Sequence, residues 1–61
     1  MNHLDSLFDL KYSIAKKEPK EVVRKKFFTY IEEYDKLEEP TIADKIRHRE
    51  IFFKYISYVN K

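Results

Sequence analysis

Apolar side chains recur along this chain at three- and four-residue steps in three separate runs, the spacing of helices that each bury one face. The first run, from about Leu4 to Lys17, places Leu4, Leu7, Phe8, Ile14 and Ala15 on one stripe, with Lys11 interrupting it. Ser6 followed by Asp9 resembles a capping box with a shortened acid, so the helix is expected to fray before it settles. The second run carries Val23, Phe27, Tyr30, Ile31, Tyr34 and Leu37. Pro19 opens it, because a missing N–H costs nothing at the first helical position. Glu38, Glu39 and Pro40 close it, since proline steers the preceding residue away from helix.

Thr41 with Asp44 then gives a second capping signature, and Ile42, Ile46, Phe52, Phe53, Ile56 and Val59 form the third stripe. Two long helices joined by so short a turn should lie antiparallel. The predicted fold is therefore all-α: an antiparallel helical hairpin, about 19–38 and 41–60, with a shorter N-terminal helix, about 4–17. The three helices form one small domain over residues 1–61. The absence of glycine does not oppose this, because proline also ends helices. Phe27-Phe28-Thr29-Tyr30-Ile31 is echoed by Phe52-Phe53-Lys54-Tyr55-Ile56, a pattern that fits either a duplicated helix or coincidence in a chain rich in Phe, Tyr and Ile.

The third helix has more apolar surface than one facing helix covers. Ile51, Tyr55 and Tyr58 form a second row, well over 100° round from the stripe of Ile42, Ile46, Phe53 and Ile56. Phe28 likewise points away from Val23, Tyr30 and Tyr34. Either the first helix closes over this row, completing a monomeric bundle, or the row is an interface. As an interface, Phe28, Ile51, Tyr55 and Tyr58 would form its apolar centre, and Arg47 and Arg49 its charged rim.

Sixty-one residues bury only about 60% of the surface that the unfolded chain exposes, and with no cysteine there is no disulfide to compensate. Self-association as a symmetric homodimer is one remedy. No apolar run reaches the roughly 20 residues of a membrane span, and the N-terminus lacks the pattern of a signal peptide. The expectation is a soluble cytoplasmic protein.

Charge is unevenly placed, although the net is only +2. Lys16, Lys17, Lys20, Arg24, Lys25 and Lys26 surround the first turn, and Glu32, Glu33, Asp35, Glu38 and Glu39 the second. Such a basic cluster can hold phosphates, which makes nucleic-acid binding the alternative function. A helix-turn-helix fits poorly, because the second helix is too long and Arg47, His48 and Arg49 lie well inside the third. A membrane-surface role for Lys25, Lys26, Phe27 and Phe28 is opposed by the acid on the polar faces.

His3 and His48 are the only histidines. Asp44 and His48 share a helical face, but no third or fourth ligand completes a metal site. No serine or threonine sits beside an evident base, and no glycine-rich loop cradles a cofactor. The sequence thus points to a small non-enzymatic regulator, inhibitor or adaptor that binds another protein, itself, or both through an aromatic helical face.

Overall fold

The computed structural model describes residues 2–60 and shows three α-helices: α1 (His3–Ala15), α2 (Lys20–Asp35) and α3 (Ile42–Val59). The described residues contain no strand. Contacts fix the directions of the helices. His3 of α1 meets Tyr34 of α2 edge-on, whereas Asp9 and Ser13 meet Lys26, so α1 and α2 run antiparallel. Phe27 stacks on Tyr55 at 3.9 Å and Tyr34 on His48 at 4.1 Å, so α2 and α3 also run antiparallel. The result is an up-down-up bundle measuring 33 × 20 × 14 Å.

Local chemistry explains the ends. The Ser6–Asp9 pair does not cap α1; Asn2 does, its Oδ1 accepting from the Asp5 N–H at 2.9 Å. Ser6 is instead buried inside the helix. The C-terminus of α1 is a Schellman turn: the Glu18 N–H donates to the Ser13 carbonyl and the Lys17 N–H to the Ile14 carbonyl, both at 3.1 Å. Lys17 occupies the left-handed position that glycine usually fills, with φ 57°.

Pro19 sits one residue outside α2 rather than at its first position, and its carbonyl accepts from the N–H groups of Val22 and Val23. Helix α2 ends at Asp35, before the expected residue 38. The carboxylates of Glu38 and Glu39 are unfavourable at the negative end of a helix dipole, and Pro40 holds Glu39 out of the helical region. At α3 the capping box is complete: the Asp44 N–H donates to Thr41 Oγ1 and the Thr41 N–H to Asp44 Oδ2, each at 3.0 Å.

The core consists of Leu7 and Leu10 from α1, Val23, Phe27 and Tyr30 from α2, and Ile51 and Tyr55 from α3. Leu4, Ile14, Ile31, Tyr34, Tyr58 and Val59 pack around it. On α1 the buried face turns toward Leu10 and Ser13, leaving Phe8 and Ala15 exposed. The small side chains of Ser6 and Ser13 let α2 approach closely where larger ones would hold it away.

Helix α3 packs with the opposite face inward from the one its most apolar stripe predicts. Ile51 is fully buried and Tyr55 nearly so, whereas Ile42, Ile46 and Phe53 are 78%, 52% and 59% exposed. Polar groups account for the choice. Asp44, His48 and Tyr58 share the inner face with Ile51 and Tyr55, and each finds a hydrogen-bond partner there. His48 Nδ1 and the Tyr30 hydroxyl share a hydrogen bond at 3.0 Å, and the Tyr58 hydroxyl donates to the Glu18 carbonyl. An inward Ile42–Ile46–Phe53 face would offer those groups nothing. Helix α1 thus closes over the Ile51–Tyr55–Tyr58 row, and that row completes a three-helix unit.

Candidate functional site

Phe8 and Tyr12 stand exposed on α1, but the longest run of exposed apolar side chains is the outer face of α3. Ile42, Ile46, Arg49, Phe53 and Ile56 follow one another at steps of four, three, four and three residues. This is a heptad seam, the spacing at which one helix meets another along its length. The five side chains are all exposed, and Arg49 is the only charge among them. Its guanidinium lies over the Phe53 ring, 6.0 Å from the centroid, so the charge rests against apolar surface instead of interrupting it.

Aromatic contacts extend the face sideways onto α2. Phe28 meets Phe27 at 6.0 Å, Phe27 meets Phe52 at 6.0 Å, and Phe52 meets Phe53 at 6.3 Å. Phe27 is the buried member that ties this ladder to the core. On its other side, the face borders an open groove of about 460 Å³ between α1 and α3. Lys11, Ile14, Phe53, Lys54 and Tyr58 are among the residues that line the groove.

The N-terminal turn of α3 is held in place by Asp44. Besides its capping bonds, Asp44 Oδ1 accepts from His3 Nε2 at 3.1 Å and from the Arg47 guanidinium at 2.8 Å. The Thr41 backbone N–H, then His3 and Arg47, hold this carboxyl well below the usual carboxylate range. The cluster joins the start of α1 to the start of α3 and so fixes which face of α3 turns outward.

The six residues expected at a protein interface are divided by the fold. Arg49 stands exposed within the seam and Phe28 on the open surface of α2 beside it. Ile51 and Tyr55 belong to the core, and Tyr58 is half-buried through its bond to Glu18. Arg47 is half-buried and paired with Asp44. The residues exposed in their place are Ile42, Ile46, Phe53 and Ile56, the stripe expected to face inward. Spacing alone could not have separated them from the core, because the buried row of Asp44, His48, Ile51, Tyr55 and Tyr58 runs at the same four- and three-residue steps.

The basic cluster is divided as well. Lys16, Lys17, Lys20, Arg24 and Lys25 are exposed around the first turn, with Lys16 Nζ 4.7 Å from the centre of the Tyr12 ring. Lys26 turns inward instead. Its ammonium donates to Ser13 Oγ at 2.6 Å, Asp9 at 3.2 Å and Glu18 at 3.4 Å. Burial disfavours that charge, but the hydrogen bonds to Asp9 and Glu18 prevail and raise the ammonium above its ordinary value. Glu18 is lowered, chiefly by Ser13 and then by Lys26. Lys26 thus serves the α1–α2 junction.

Among the described residues no group of three or more His, Asp or Glu side chains is placed to hold a metal, and no helix is long and apolar enough to cross a membrane. Comparison with protein-family models, with curated proteins and with solved structures gives no match to this chain.

Proposed function

We propose that this chain is a small helical protein-binding module, a regulator or adaptor in kind, whose contact surface is the outer face of α3. One observation carries the reading: the most apolar stripe of α3 is exposed while a more polar stripe is buried. Burying apolar surface is the main favourable term in folding, so leaving this stripe outside forgoes stability the fold could otherwise gain. A partner helix laid along the seam recovers it, with Ile46 and Phe53 as anchors, Arg49 as the charge between them and Lys54 as polar edge. The surface is convex and apolar, which suits association rather than catalysis.

The basic turn supports nucleic-acid binding less well. With Lys26 committed to two carboxylates, the remaining cations have Glu18 and Glu21 in their midst, and the local field is weakened. Tight, steeply salt-dependent binding to mixed-sequence DNA would favour that turn instead.

The test is a photo-crosslinking residue placed at Ile46, with the same residue at exposed Glu32 as control, irradiated in extract of cells that make the protein. Adducts at position 46, of the chain's own mass or another, are expected to exceed those at position 32. Equal labelling at the two positions would remove the outer face of α3 as the contact surface.

A further inference from the structure

The single arginine of this face, its position and the ring beside it together say what covers the face. We infer that the outer face of α3 binds the same face of a second copy of this chain, with the two α3 helices antiparallel. The inference rests on the binding-face reading above and supplies its partner.

Charge decides the direction. In a parallel pair each seam position meets its own counterpart, so Arg49 would face Arg49 at the middle of an apolar strip, two like charges pressed together. Reversing one helix and aligning Ile46 with the second copy's Ile56 brings Arg49 opposite the second copy's Phe53. That contact repeats between copies the guanidinium-over-ring geometry already present within one chain. In the same alignment Glu50 of the second copy falls within about one helical turn of Arg49, which gives each arginine an acid to meet. Phe52, at the flank of the seam, lies close to its own counterpart near the two-fold axis. The face is therefore complementary to itself in one direction and opposed to itself in the other.

Size sets the strength. Helix α3 has 18 residues and is about 27 Å long, so a strip one helix wide falls short of the roughly 800 Å² per partner of a standard interface. The Phe28–Phe52 ladder widens it. A reversible, concentration-dependent dimer is the expected product.

The experiment uses the whole chain, in which no native cysteine interferes. Sedimentation equilibrium should show monomer passing to dimer as concentration rises, and Ile46→Lys should weaken the association at least about 100-fold while circular dichroism stays helical. Direction is read by oxidation. An Ile46→Cys chain mixed with an Ile56→Cys chain should form the mixed disulfide in preference to either like pair. Preferential Ile46→Cys homodimers would overturn the antiparallel arrangement. A chain that stays monomeric to about 1 mM overturns the second copy as partner, whereas adducts of another mass from Ile46 would still support the binding face. A dimer that survives Ile46→Lys and Phe53→Lys unchanged overturns both.

Discussion

Tyr30 shows how much of this fold depends on single polar atoms. It is almost wholly buried, yet its hydroxyl reaches His48 at 3.0 Å and its ring packs against Tyr34 and His48. Burial first, and then neighbouring Tyr34 and Asp44, push its phenol up to about 12. The unfolded chain releases this proton near pH 10 and the folded chain holds it, so folding is linked to protonation. The stabilising contribution is complete below pH 10 and declines as pH rises toward 12, by about 3 kcal/mol in all. Denaturant titrations at pH 9 and pH 11.5 should therefore show a steeper alkaline loss for the native chain than for Tyr30→Phe. Equal losses would mean that the phenol ionises inside the fold as readily as outside it.

At the scale of the element, the helices were legible and the orientation of α3 was not. Periodicity located all three runs, Pro19 and Pro40 marked the breaks, and Thr41 with Asp44 announced the start of α3. Hydrophobicity alone then chose the wrong face of α3, because it scores Asp44, His48 and the Tyr58 hydroxyl as reasons to stay outside. Inside, those groups bond to His3, Tyr30 and the Glu18 carbonyl, and their burial is made tolerable by partners on other helices. No local pattern reveals partners so distant in sequence. Lys26 illustrates the same point, since its place in a basic run concealed its bonds to Asp9, Ser13 and Glu18. The inverted face makes a sharp comparison of two isoleucines on one helix. Ile51→Ala should cost about 2–5 kcal/mol by opening a cavity. Ile46→Ala should stay within about 0.5 kcal/mol at concentrations where the chain is monomeric. Chemical denaturation of the two variants checks this, and equal costs would place both residues in one core.

At the scale of the molecule, the core holds seven buried apolar side chains among the described residues and the chain has no cysteine for a disulfide, so the pairing of α3 faces inferred above would add stability that one chain lacks. Association that favours the folded state adds to stability by mass action and does nothing for the unfolded chain. The thermal midpoint should therefore rise with protein concentration. For a domain this size each 1 kcal/mol is worth about 4–8 °C, so passing from well below the dimer dissociation constant to well above it should raise the midpoint by several degrees. Ile46→Lys removes the seam but leaves Ile51, Tyr55 and the Asp44 cluster untouched. Its midpoint should match that of the dilute native chain and stay level as concentration rises. Calorimetry of both proteins over the same concentration series distinguishes the sources of stability. Parallel rises would locate the stabilising contact on some surface other than the outer face of α3, and a level native curve would mean that the three helices stand alone.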